Sequence, residues 1–156
     1  MKWLASGAAE SYERVIAPQS IEKVNYPQMV MQTGKKFVAI VDDDESIRAA
    51  LQGFMKEAGL PAQAFASAEE FLESGGLNQV ACLVADIRMP GMSGLELQAR
   101  LNSERIRMPI VFITAHGDES MRMQALRAGA VEFLAKPFDE EVLLDCVRAA
   151  MENQAR

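Results

Sequence analysis

Polar side chains follow four short apolar runs of the sequence, and their types suit phosphoryl transfer. They are Asp42 and Asp43 after one run, Asp86 after another, and Thr114 and Lys136 at the ends of the last two. In such a set a carboxylate acts as the nucleophile, and an ammonium group neutralises charge on the transferring phosphoryl group. Each residue taken singly also has a plain structural interpretation as a helix cap or a turn residue. The chemistry therefore depends on whether the fold brings the set together.

The three acids of this set also predict a metal site. Like charges at short range disfavour the ionised forms, so Asp42, Asp43 and Asp86 in one crevice require a cation between them. Oxygen ligands without a nearby cysteine favour Mg²⁺, which keeps several waters and takes one or two carboxylates. The single histidine of the chain, His116, is interpreted as an exposed loop residue and not as a ligand.

The apolar runs themselves predict a parallel β-sheet, because they are continuous and not alternating, as in strands buried on both faces. They are Phe37–Val41, Cys82–Ala85, Ile110–Ile113 and Val131–Ala135, with Ala62–Ala66 as a weaker run. Amphipathic helical windows separate them. This alternation predicts an α/β fold with a doubly wound, five-stranded parallel sheet of five βα units. Ligands bind at the carboxyl ends of the strands in such sheets, where the polar set is expected to meet.

Capping residues predict where the helices begin. Ser93 followed by Glu96 matches a capping box, and Asp118 is a suitable N-cap for a later helix. Asp44 and Glu45 follow the acid pair and coincide with the start of the first helix. Negative charge there is stabilised by the helix dipole, so neither residue requires a functional role.

Composition and charge limit the possible partners. The chain has 156 residues and a net charge of −6; residues 37–156 carry 11 basic and 19 acidic groups. Binding to a phosphate backbone needs an excess of positive charge, so we expect no nucleic-acid partner. No apolar stretch approaches the ~20 residues that span a bilayer, and no signal-peptide core is present, so we expect no membrane association and a cytoplasmic protein. Residues 1–36 show no sustained periodicity and are interpreted as a partly disordered N-terminal extension ahead of a domain over 37–156.

Several motifs along residues 37–156 are specific when taken together. They are the pair Asp42-Asp43, the run Asp86-Ile87-Arg88-Met89-Pro90-Gly91-Met92-Ser93-Gly94, the run Ile113-Thr114-Ala115-His116-Gly117-Asp118, the run Ala128-Gly129-Ala130-Val131-Glu132-Phe133-Leu134, and Lys136-Pro137-Phe138. With these motifs the segment resembles the receiver domain of a bacterial response regulator, and the FixJ-like branch in particular. The resemblance implies the flavodoxin-like receiver fold and a signalling role in a two-component system.

The resemblance also implies roles for the polar set. Asp86 would be the phosphoacceptor for a sensor histidine kinase, Asp43 a direct Mg²⁺ ligand, and Asp42 a second acid that acts on the metal through water. The backbone carbonyl of Arg88 would be the remaining protein ligand. Lys136 would pair with the phosphate, and receivers generally have a cis peptide bond after this lysine. Catalysis would be limited to self-catalysed phosphotransfer and slow autodephosphorylation.

A switch is implied as well. Thr114 would move to meet the phosphate, and Phe133 occupies the aromatic switch position. Because Phe133 lacks the hydroxyl of a tyrosine, its two states would differ by packing alone. The surface formed by the fourth helix, the fifth strand and the fifth helix would respond, with homodimerisation as a possible output.

Three alternatives remain open at this point. The run Asp42-Asp43-Asp44-Glu45-Ser46 also satisfies the Asp-x-Asp-x-Ser/Thr pattern of haloacid-dehalogenase-like phosphatases, with Asp42 as nucleophile. Such an enzyme needs a cap and late paired acids, and this sequence offers neither. A flavodoxin-like cofactor binder is disfavoured, because the loop after the first strand holds four acids where a phosphate-binding loop is rich in Ser, Thr and Gly. The third alternative concerns the whole protein: the segment is either a stand-alone receiver or part of a longer DNA-binding regulator.

Overall fold

A computed structural model of the chain describes residues 36–155, which alternate between strands and helices. The elements are β1 (Phe37–Val41), α1 (Glu45–Glu57), β2 (Ala62–Phe65), α2 (Ala68–Leu72), β3 (Val80–Asp86), α3 (Gly94–Ser103), β4 (Ile110–Thr114), α4 (Glu119–Arg127), β5 (Glu132–Ala135) and α5 (Glu140–Ala155). A 3-10 turn at Leu77–Gln79, which the sequence did not predict, precedes β3. The prediction of a partly disordered extension falls outside the described residues, apart from Lys36.

The five strands form one parallel sheet in the order β2-β1-β3-β4-β5. The chain runs from β1 to β2 on one side and then crosses to β3 on the other side of β1. The point where the order reverses is the place at which doubly wound sheets open a crevice for ligands. The predicted α/β fold and its five-stranded sheet are confirmed.

Burial follows the position of each strand in the sheet. All residues of β1, β3 and β4 are buried, as the continuous apolar runs predict. The same prediction is wrong for β5, which begins one residue late at Glu132 and is only partly buried, with Ala135 exposed. The reason is its place at the edge of the sheet, where it pairs with β4 alone.

The main apolar cluster lies between the sheet and the helices α1 and α5. Its buried members include Leu51 and Met55 from α1 and Leu143 and Val147 from α5. Both cysteines are free thiols; Cys82 is buried, and burial raises the pKa of its thiol to about 12. Among the described residues, no helix is long and apolar enough to cross a membrane.

N-caps begin three helices near the carboxyl ends of the strands: Ser93 and Asp118 as predicted, and Asp44, for which the sequence predicted only a favourable charge at the helix start. The Asp44 carboxylate accepts from the N–H of Ser46 at 2.8 Å, and the capping box of Ser93 and Glu96 is complete in both directions. Asp118 caps α4 by accepting from the N–H of Met121. These bonds satisfy N–H groups that the first turn of a helix leaves without a partner.

Candidate functional site

Three carboxylates meet at the carboxyl ends of β1 and β3. Asp42 directly follows β1 and is fully buried, while Asp86 ends β3 and is 6% exposed. The strands pair in register at Val41 and Ala85, so the two acids lie level with each other. Asp43 is exposed, yet one oxygen from each of the three acids lies within 4.8 Å of the others. The predicted acidic cluster is present.

Asp42 and Asp43 reach the same space because the chain leaves the strand at this point. Successive side chains of a strand point to opposite faces, but β1 already ends at Val41. The N–H of Asp44 donates to Asp42 Oδ1 at 2.9 Å, and the Arg48 guanidinium donates to the backbone carbonyl of Asp42 at 2.7 Å. These bonds hold the turn that brings both acids to the crevice.

Lys136 joins the two buried carboxylates. Its Nζ lies 3.1 Å from Asp42 Oδ2 and 3.2 Å from Asp86 Oδ2. The peptide bond from Lys136 to Pro137 is cis, as expected from the resemblance. The second oxygen of Asp86 accepts from the N–H of Ile87 at 2.7 Å. The ammonium group thus lies against the residue proposed as nucleophile.

Burial and the ion pairs with Lys136 shift the pKa values of Asp42 and Lys136 in opposite directions. Burial raises the pKa of Asp42 and the nearby Asp86 charge adds to it, while the Asp44 N–H and the Lys136 ammonium lower it without reversing the rise. Burial lowers the pKa of Lys136, but its bonds and attraction to Asp42 and Asp86 outweigh that effect and raise the pKa above its usual value. Lys136 therefore remains charged at neutral pH, and the crevice favours additional positive charge.

The predicted switch residues lie on the neighbouring strands. Thr114 ends β4 and is 1% exposed, and its hydroxyl oxygen accepts a long 3.5 Å bond from the N–H of His116. Phe133 is half-buried in β5, opposite Phe112 of β4. His116 is exposed on the loop after β4, as predicted.

Arg88 lies on the loop two residues after Asp86, with its side chain exposed. The role of its carbonyl as a metal ligand stays a prediction.

Two residues that shape this loop were not predicted. Gly94 opens α3 so close to β3 that a Cβ would lie 2.3 Å from the carbonyl oxygen of Asp86. Glu69 of α2 accepts from the N–H of Met92 at 2.9 Å and holds the far side of the loop. The sequence does not reveal this role of Glu69, because a contact between residues 23 apart leaves no local pattern.

Comparison with known proteins identifies the chain. The family model of the response regulator receiver domain matches residues 38–148. The chain belongs to this family. It is the receiver domain of a two-component response regulator, and the comparisons give no support to the phosphatase alternative.

Relatives of this receiver domain support the FixJ-like branch. It is 45% identical over 122 residues to nodulation protein W of Bradyrhizobium diazoefficiens, covering 78% of this chain and 54% of that protein. It is 38% identical over 118 residues to the transcriptional regulatory protein FixJ of Azorhizobium caulinodans, covering 76% of this chain and 56% of that protein. The chain thus spans about half the length of these curated relatives.

Solved structures agree with the fold of the receiver domain. The response regulator StyR shares 48% identity at a TM-score of 0.72, covering 78% of this chain and 61% of that one. FixJ-N shares 39% identity at a TM-score of 0.69, covering 76% of this chain and 94% of that one.

Proposed function

We propose that Asp86 is the phosphoacceptor of this receiver domain. A carboxylate oxygen of Asp86 attacks phosphorus, the P–N bond to a phosphohistidine of a sensor histidine kinase breaks, and the histidine nitrogen leaves with the bonding electron pair. The observation that carries the proposal is the position of Lys136 Nζ, 3.2 Å from Asp86 Oδ2. There the ammonium group neutralises charge on the phosphoryl oxygens.

The acidic cluster supports Mg²⁺ as the cofactor. Three carboxylate oxygens within 4.8 Å of one another offer hard ligands, and the exposed Asp43 leaves one side open to water. Asp43 and Asp86 would hold the ion directly with the Arg88 carbonyl, and Asp42 through water. Bound Mg²⁺ supplies positive charge that offsets the carboxylates and the transferring phosphoryl oxygens.

Catalysis by this receiver domain is limited to reactions at its own carboxylate. Phosphotransfer to Asp86 and slow hydrolysis of the resulting acyl phosphate are the only reactions proposed for it. The net charge of residues 37–156 disfavours contact with a nucleic-acid backbone, so the proposal includes no nucleic acid. The expected compartment of the protein is the cytoplasm, as the sequence predicts.

Acetyl phosphate tests the chemistry without a kinase. Intact-mass spectrometry is expected to show one added phosphoryl group in the presence of Mg²⁺ and little or none with a chelator, because the acids cannot otherwise accept further negative charge. An adduct of equal extent in the chelator would contradict the role of the metal. No adduct under either condition would contradict the role of Asp86.

Exposed hydrophobic side chains support the proposal of an output surface on this domain. Among the described residues, the large hydrophobic side chains that remain exposed are Met123 on α4, Val131 just before β5 and Val142 on α5. They lie within residues 118–148, the surface expected to respond. We propose that a shift of Thr114 toward the phosphoryl group and a change in Phe133 packing alter this surface and favour a homodimer.

Beryllofluoride with Mg²⁺, a phosphoryl mimic, tests the surface. Sedimentation is expected to show dimer formation, and amide exchange is expected to slow within residues 118–148. Val131→Glu places a charge on the surface and is expected to weaken the dimer by about tenfold or more. Gln52→Glu, an exposed change on α1, is the control. A beryllofluoride-bound protein that stays monomeric, with exchange unchanged in 118–148, would contradict the proposed output.

A further inference from the structure

Gly117 lies on the loop after β4, where the side chains of Thr114 and Phe133 approach one another. A Cβ on Gly117 would lie 2.6 Å from Thr114 Cγ2, 2.6 Å from Phe133 Cζ and 2.8 Å from Phe133 Cε1. Carbon atoms that are not bonded pack best at about 3.5–4.0 Å. The threonine methyl and the aromatic ring therefore fill the space that any larger residue at position 117 would need.

The backbone does not explain this glycine. Gly59, Gly75, Gly91 and Gly129 have positive φ angles, which favour glycine for conformational reasons. Gly117 is not in that left-handed region. What position 117 requires is therefore the absence of a side chain, and the residues that impose it are Thr114 and Phe133.

The two side chains belong to different parts of the switch. Thr114 is buried at the end of β4, the strand that pairs with β3 and Asp86. Phe133 is half-buried on β5, at the edge of the sheet. Both side chains border the position that a Cβ of Gly117 would occupy. No side chain lies between them there, so a rotation of Thr114 changes the space that is open to the Phe133 ring.

We propose that Gly117 is a positioning residue that couples the phosphoryl site to the α4, β5 and α5 surface. Because Gly117 has no side chain, the Thr114 methyl and the Phe133 ring occupy adjoining parts of the same space. When the Thr114 methyl moves, the Phe133 ring moves into the space that it leaves. This inference rests on the proposed function of Asp86, because Thr114 is the residue expected to meet the phosphoryl group.

The variant Gly117→Ala tests the coupling, with Gly53→Ala as a matched control. A Cβ at Gly53 meets nothing within 4 Å, so the control adds the same methyl group without a clash. With 4-fluorophenylalanine placed at position 133, the ¹⁹F resonance of the free protein is expected to shift in Gly117→Ala and not in Gly53→Ala. This readout needs no phosphorylation.

The response of the surface is the second readout. Gly117→Ala is expected to accept a phosphoryl group from acetyl phosphate to the wild-type extent. Its dimer affinity in beryllofluoride is expected to fall by about tenfold, a factor that corresponds to about 1.4 kcal/mol. Phe133→Leu and Thr114→Ser in the Gly117→Ala background remove the ring atoms and the methyl group that clash. Together they are expected to restore folding if the single variant unfolds.

Three results would overturn the inference. They are an unchanged ¹⁹F resonance with a wild-type response to beryllofluoride, a folding defect that Phe133→Leu and Thr114→Ser together do not relieve, and a loss of phosphorylation confined to Gly117→Ala. Failure of phosphorylation in the wild type as well would instead contradict the proposed function of Asp86, and the ¹⁹F comparison in the free protein separates the two cases.

Discussion

Replacing Asp86 with asparagine is expected to abolish phosphorylation of the receiver domain. The amide has nearly the shape of the carboxylate but is no nucleophile toward phosphorus, and loss of a covalent nucleophile lowers rates by about a thousandfold or more. Intact-mass spectrometry after incubation with acetyl phosphate and Mg²⁺ measures the effect. Asp86 is also a buried partner of Lys136, so circular dichroism must show that the variant is folded.

Two further substitutions separate the nucleophile from its neighbours. Asp42→Asn removes one acid of the cluster and is expected to slow phosphorylation while leaving an adduct at long times. Asp145→Asn changes an exposed acid on α5 and is expected to match the wild type. An adduct that persists in Asp86→Asn but is lost in Asp42→Asn would contradict the assignment and favour Asp42 as nucleophile.

The variant Lys136→Ala is expected to fold and to lose the coupling between phosphoryl site and surface. The ammonium group bridges Asp42 and Asp86 before phosphorylation, and it is the group expected to pair with the phosphoryl oxygens afterwards. Without it, beryllofluoride binding is expected to leave amide exchange in residues 118–148 unchanged. A full exchange response in the variant would show that coupling does not pass through Lys136.

The same variant is expected to be less stable, by up to about 3 kcal/mol at neutral pH, because two buried carboxylates lose their cationic partner. The Asp42 pKa is already raised by burial, and Lys136 lowers it. Its removal raises the folded-state pKa further above the unfolded value. A carboxyl group whose pKa is higher in the folded than in the unfolded state stabilises the folded state at acidic pH. This stabilisation is lost as the pH rises through the folded-state pKa.

Urea unfolding of Lys136→Ala is therefore expected to show stability falling, relative to the wild type, between acidic and neutral pH. Lys56→Ala removes an exposed lysine of α1 and serves as the control of equal charge change. Mg²⁺ is expected to recover part of the lost stability, because the cation replaces the ammonium charge. A pH profile parallel to that of the wild type would contradict this electrostatic role.

Patterns among residues close together in the sequence were enough to predict the central strands and the starts of several helices. The buried runs define β1 with both ends correct, and β4 to within one residue. The caps at Asp44, Ser93 and Asp118 lie where the sequence indicates, because each acts on N–H groups two or three residues away.

Contacts between distant segments were not predictable in the same way. The partial exposure of β5 depends on its edge position, which an apolar run does not reveal. The contact of Glu69 with Met92 joins residues 23 apart, and the crowding at Gly117 brings the loop after β4 against Phe133 of β5. The acids and Lys136 could be placed together because parallel strands bring their carboxyl ends to one edge of the sheet.

Locating the phosphoryl group on the chain tests the central proposal most directly. Borohydride reduces an aspartyl phosphate to homoserine, which peptide mass spectrometry detects at a defined position. After incubation of the wild type with acetyl phosphate and Mg²⁺, homoserine is expected at position 86 and at no other acidic residue. Homoserine at position 42 or 43, with Asp86 unmodified, would contradict the proposal.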